Sequence, residues 1–157
     1  MSAGQADQRG IDFDVPALDA WLRDTLALGA APLEVRRTEG GMSNPTYFLN
    51  KGGWQVVLRK QPGGAVMPSA HAIDREWRVL TALRGTAVPV AAPLHYCDDR
   101  AVLGTPFYLM EELDGRVFHE FATPGLARAE RAALYESMVV TMAAIHRLDV
   151  AALGLAD

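Results

Sequence analysis

The sequence predicts an α+β fold: a five-stranded antiparallel sheet carrying one inserted helix, with a packing helix ahead of it and a long helix after it. Three observations predict this. The apolar period changes from helical to alternating near Leu33, one amphipathic helix interrupts the strands near Ile73, and the helical period returns beyond Asp114-Gly115. These changes divide the chain into a flexible lead and packing helix over 1–32, a sheet-bearing unit over 33–113, and a helical segment over 114–157.

The first helix follows about ten polar residues. Asp14 can cap it, Pro16 is tolerated in its opening turn, and Val15, Leu18, Leu22 and Leu26 form one apolar stripe ended by Gly29 and Pro32. Next come LEVRRTE, TYFLN, a turn at Lys51-Gly52-Gly53, and WQVVLRK, which read as an antiparallel meander. The segment SAHAIDREWRVLTALR, from about Ser69 to Arg84, reads as the inserted helix. Pro89 and Pro93 place VPVAAP in an extended linker; LHYC, a turn over Asp98, Asp99 and Arg100, and the apolar strand FYLMEEL complete the sheet. Thr123 and Pro124 can open the last helix, whose Leu134, Met138, Thr141, Ile145 and Leu148 form a stripe. Tyr135, Val139, Met142 and His146 form a second row. So broad an apolar surface requires neighbours on several sides, and the expectation is a helical domain cut off at Asp157.

Composition narrows the function classes. Half of the 157 residues are apolar and 22% are charged, enough for a packed core and unlike a disordered tail. A net charge of −4 with scattered Lys and Arg offers no basic stripe, so nucleic acid is not expected as a partner. The single cysteine, Cys97, excludes an internal disulfide and reads as a small buried hydrophobe on a strand. His71, His95 and His119 have no metal-binding spacing, and His146 reads as a packing residue. No stretch is apolar enough for a membrane span and no apolar run follows MSAGQADQRG, so neither membrane nor signal peptide is expected and a cytoplasmic location is.

Phosphate chemistry is suggested by three features in order. In GGMSNPTY, Gly40 and Gly41 permit a turn with close ligand approach, and Ser43 and Asn44 add short polar groups; the same residues also suit an ordinary hairpin loop. The loop lacks Walker A spacing. In the strand that follows, period two sends Arg59 and Lys60 to opposite faces. Trp54, Val56 and Leu58 share Lys60's face, so composition favours Lys60 as the inward cation, while Val57 shares Arg59's. On the helix, with Ile73 at zero, Glu76 falls near about −60°, between Leu83 at about −80° and Leu80 at about −20°. An ionised acid on an apolar arc needs a cation. Arg59 or Lys60 can supply it across elements; Arg75, Arg78 or Arg84 can supply it along the helix. Finally, FYLMEEL running into Asp114-Gly115 places an apolar wall beside exposed backbone, as an adenine ring requires.

GGMSNPTYFL, VVLRKQP, SAHAIDREWRVL, VPVAAPLHYCDD, GTPFYLMEELDGRVF and AAIHRLD, in this order, resemble the aminoglycoside phosphotransferase family, with its protein-kinase-like fold. The LRKQPGGAVMPSAHAIDREWRVL segment is most similar to phosphotransferase-like domains associated with acyl-CoA dehydrogenases. The resemblance covers roughly Leu33 to Asp157. It implies a kinase-like N-lobe over 33–113 that binds ATP and Mg2+, then the start of a C-lobe.

By position, Gly40, Gly41, Met42, Ser43, Asn44 and Thr46 correspond to the nucleotide-covering loop, and Val57, on Arg59's face of the strand, is counted among the cofactor-binding residues. Arg59 stands where the family has the phosphate-gripping lysine, with Lys60 the alternative, and Glu76 is the helix glutamate orienting that cation. Met110, Glu111 and Leu113 correspond to the hinge beside adenine. The implied activity is transfer of the γ-phosphate of ATP to a hydroxyl of a small molecule: a hydroxyacyl thioester, sugar, choline-like alcohol or aminoglycoside. The catalytic loop and metal ligands are expected beyond Asp157, which leaves residues 1–157 without a catalytic or metal-binding residue and inactive alone. The alternative is a non-catalytic nucleotide-binding or scaffolding module that docks or self-associates through the last helix.

Overall fold

The computed structural model describes residues 10–38, 44–64 and 72–156. Among the described residues, nine elements follow in chain order: α1 (Val15–Leu26), β1 (Leu33–Arg37), β2 (Thr46–Lys51), β3 (Trp54–Lys60), α2 (Ile73–Leu83), β4 (Pro93–Cys97), α3 (Arg100–Leu103), β5 (Phe107–Glu111) and α4 (Arg128–His146). The strands form one antiparallel sheet in the order β1-β2-β3-β5-β4.

Alternation along the strands gives the sheet two faces. One carries Val35, Tyr47, Leu49, Val56, Leu58, Phe107 and Leu109, packed with Leu18 and Leu22 of α1 and Leu103 of α3 into the main core. Leu18 and Leu22 are fully buried, each contributing roughly 1.5–3 kcal/mol by removal from water. Lysines at the strand ends also enter this layer. Lys51 donates to Asp19 at 2.6 Å, and Lys60 donates to Asp12 at 2.9 Å. The opposite face carries Thr46, Phe48, Val57, Arg59, Tyr108 and Met110 as register partners across β2, β3 and β5. There α2 is seated through Ile73, which is buried, and through Trp77, whose ring stacks on Tyr96 at 5.8 Å and lies 5.9 Å from Tyr108.

The hairpin between β2 and β3 turns at Gly52 and Gly53, with φ of 61° and 90°. Two positive φ values match the right-handed twist of the strands it joins. Asp14 caps α1 by accepting from the Ala17 N–H. The helix ends at Ala27, which takes the left-handed conformation at φ 52°, and so stops before Gly29.

Several expected boundaries are corrected. Asp98, Asp99 and Arg100 are more than a turn: Asp99 accepts from the Ala101 N–H and opens the four-residue α3, which Gly104 closes at φ 77°. Pro93 belongs to β4 as its first residue, where a strand tolerates a missing N–H. Thr123-Pro124 does not open α4. Thr123 is left-handed at φ 44°, and the helix starts at Arg128, where the Glu130 carboxylate accepts from the Ala127 N–H. Ser69, Ala70 and His71, placed in the inserted helix from sequence, lie outside the described residues. Cys97 is buried on β4, as expected.

No residue of α4 is fully buried, and Tyr135, Met138, Val139, Met142 and Ile145 are all exposed. Among the described residues, no helix is long and apolar enough to cross a membrane.

Candidate active site: an ion pair on the open sheet face

Arg59 stands opposite Thr46 on one side and Tyr108 on the other, the three side chains forming a row across β2, β3 and β5. The helix α2 crosses this row one turn from its start and brings Glu76 down onto it. Arg59 Nε donates to Glu76 Oε2 at 2.6 Å and its Nη2 donates to Oε1 at 3.2 Å, a two-pronged pairing that fixes the guanidinium plane. Asn44 Nδ2 donates to Oε1 at 2.7 Å and the Tyr108 hydroxyl donates to Oε2 at 3.1 Å. Four donors therefore converge on one carboxylate. Thr46 completes the set: its hydroxyl accepts from Arg59 Nη1 at 3.0 Å and donates to the Asn44 carbonyl at 3.2 Å.

Both ion-pair side chains remain about one-third exposed, 29% for Arg59 and 32% for Glu76, so the pair forms a wall and not a sealed core. Burial alone would raise the Glu76 pKa. The Arg59 hydrogen bonds and charge, with Asn44 and Tyr108, outweigh it and hold the carboxyl below its ordinary value. Hydrogen bonding to Glu76 likewise raises the Arg59 pKa against burial. Burial, then the Glu76 charge, pushes the Tyr108 phenol up, so it stays a donor. A guanidinium has five N–H groups. Among the described residues three are engaged, which leaves one on each terminal nitrogen for a bound anion.

The wall faces a cleft of about 450 Å³ lined by Arg59, Glu76, Val79, Leu80, Tyr108 and Met110. A second cleft of about 350 Å³ lies toward β1, where Phe48, Asn50, Gln55 and Glu112 line it and the Arg36 guanidinium sits 4.3 Å from the Phe48 ring centroid. Phe48, Val57 and Met110 are successive register partners, an apolar floor running across the strands between the two clefts.

Of the residues singled out from sequence, the structure gathers Asn44, Thr46, Arg59 and Glu76 into one cluster, with Val57 and Met110 on the same face. Glu111 ends β5; its N–H donates to the Ala92 carbonyl at 2.9 Å, and Leu113 lies beyond the strand, exposed. Gly40, Gly41, Met42 and Ser43 lie outside the described residues. Lys60 is corrected: it is buried in the α1 layer with Asp12, away from Glu76. Composition was right that Lys60 points inward, but inward here means the other face. Tyr108 and Phe48 were missed. The available signal was alternation, since Tyr108 shares Met110's face of its strand and Phe48 shares Thr46's. Asn44 is buried, and its Oδ1 accepts no hydrogen bond, leaving an acceptor beside the cluster.

Known proteins share this arrangement of elements. The solved structure of a Ralstonia eutropha JMP134 protein assigned as an aminoglycoside phosphotransferase superposes with a TM-score of 0.75 at 43% identity, over 92% of this chain and 41% of that one. The sheet and its helices thus match the kinase-like N-lobe of such a protein. Acyl-CoA dehydrogenase family member 11 of Rattus norvegicus is 47% identical over 147 residues, 91% of this chain and 19% of that protein. Acyl-CoA dehydrogenase family member 10 of Mus musculus is 41% identical over 140 residues, 88% of this chain and 13% of that one. The chain therefore spans about a fifth or less of these relatives' length. The phosphotransferase enzyme family matches residues 34–157, every element from β1 onward except its first residue, and the chain belongs to that family.

Proposed function

We propose that this chain binds ATP on the open face of its sheet, as the nucleotide-holding part of a kinase that transfers the γ-phosphate to a small-molecule hydroxyl. The observation that carries the reading is the Arg59–Glu76 pair, locked by Asn44, Thr46 and Tyr108 on the wall of a cleft. An arginine held this way presents its two remaining N–H groups in a fixed plane, which suits phosphate oxygens. Phe48, Val57 and Met110 provide the apolar surface for adenine, and the backbone around Glu111 and Leu113 lies at its edge.

Magnesium would accompany the triphosphate, bound through the phosphate oxygens. When bound it supplies charge neutralisation on the phosphoryl oxygens. This chain's own part is to bind and orient, and we assign it no catalytic base. The acceptor we favour is a hydroxyacyl thioester, because the relatives are acyl-CoA dehydrogenase family members; sugars, choline-like alcohols and aminoglycosides rank behind it.

A second reading, a docking module without turnover, draws on the exposed Tyr135, Met138, Val139, Met142 and Ile145 of α4. Calorimetric titration with MgATP, MgADP and AMP separates the two. Affinity that declines as phosphates are removed supports the nucleotide site with Arg59 at its phosphate end. Equal affinity for AMP overturns that placement, and no binding by a folded sample leaves the docking module.

A further inference from the structure

The stretch of sheet that presents Arg59 carries a second charged network on its back. Asp12, upstream of the family match, reaches the sheet from the segment ahead of α1. Its Oδ1 accepts from the Tyr47 hydroxyl at 2.6 Å and its Oδ2 from Lys60 Nζ at 2.9 Å. The Phe13 ring stands edge-on to Tyr47 at 4.9 Å and lies 5.9 Å from Lys60 Nζ. Tyr47 is 0% exposed and Lys60 1%.

Tyr47 and Lys60 are the chain neighbours of Thr46 and Arg59, which face each other across the β2–β3 ladder. The same short length of two strands therefore holds Arg59, Thr46 and Glu76 in front and Lys60, Tyr47 and Asp12 behind. Successive side chains on a strand share backbone and point to opposite faces, so rotation of one carries the other with it. This is also where β3 ends. Its last rungs are the Lys60 N–H to the Pro45 carbonyl at 3.1 Å and the Gln61 N–H to the Pro106 carbonyl at 3.0 Å.

We propose that Asp12 is a positioning residue for Arg59: by pairing with Lys60 and Tyr47 behind the sheet, it sets the angle at which the guanidinium meets Glu76 and a bound phosphate. Only the phosphate step rests on the nucleotide reading; the geometric claim stands without it. Removing the Asp12 charge leaves a buried ammonium without its carboxylate, which pulls toward water and twists the end of β3. Removing both charges relieves that force.

The test is the side-chain Nε–H resonance of Arg59 in the nitrogen-15-labelled full chain, assigned by its loss in Arg59→Lys. We expect Asp12→Asn to shift or broaden this signal and to weaken MgATP binding about tenfold. Asp12→Asn/Lys60→Met should return both toward wild type. Leu22→Ala, which destabilises the same back layer without removing a charge, should leave the signal unmoved. Should Asp12→Asn not fold, Tyr47→Phe removes one of the two bonds and is read in the same way. An unchanged Arg59 signal in a folded variant, or no recovery in the double variant, overturns the proposal. Absence of MgATP binding by wild type overturns the nucleotide reading instead, while the resonance still decides the role of Asp12.

Discussion

At the scale of single residues, Glu76 is an acid whose cost of partial burial is offset by four donors. Its lowered pKa gives a definite pH dependence. The stabilisation is fully present above the unfolded carboxyl's pKa, about 4.3, and is lost as pH falls through the lower folded value. Glu76→Gln should therefore cost most above about pH 4.3, with the gap to wild type closing below it; denaturant midpoints measured across that range check this. A gap independent of pH would mean that the carboxylate's charge contributes nothing to stability. Glu76 was legible from sequence because an acid within an apolar helical arc is a local fact. Its partner was less so: composition favours Lys60 as the inward cation, and only the family resemblance points to Arg59. The choice depends on Asp12, a residue 48 positions away from Lys60, and on a second layer that alternation cannot reveal.

At the scale of elements, α1 and its fully buried Leu18 and Leu22 form the back layer of the sheet. Leu22→Ala should cost about 2–5 kcal/mol, read from chemical denaturation. Ala27 ends this helix in a left-handed conformation that strains a residue with a Cβ. Ala27→Gly should raise the melting temperature, with a gain of about 1 kcal/mol. The long elements were readable because each repeats its period over enough residues. The four-residue α3 was not, being too short to show one; only the Asp99 cap and Gly104 stop mark it. The start of α4 was misplaced because Thr123-Pro124 satisfies the sequence pattern of a helix opening while Thr123 adopts a conformation that cannot begin one.

For the whole molecule, two open surfaces stand in contrast. The sheet face is polar at one end and apolar in the middle, as the proposed nucleotide site requires, whereas α4 presents Met138, Val139, Met142 and Ile145 with no polar cluster among them. Ile145→Glu should leave the thermal unfolding of the sheet within about 0.5 kcal/mol of wild type and reduce self-association in sedimentation velocity. The central claim concerns the other surface, and titration of MgATP into wild type, Arg59→Ala and Glu76→Ala tests it most directly. Saturable binding by wild type, lost or strongly weakened in both folded variants, is the predicted result. Binding that is unchanged in either variant would contradict the assignment of the Arg59–Glu76 pair to the phosphates.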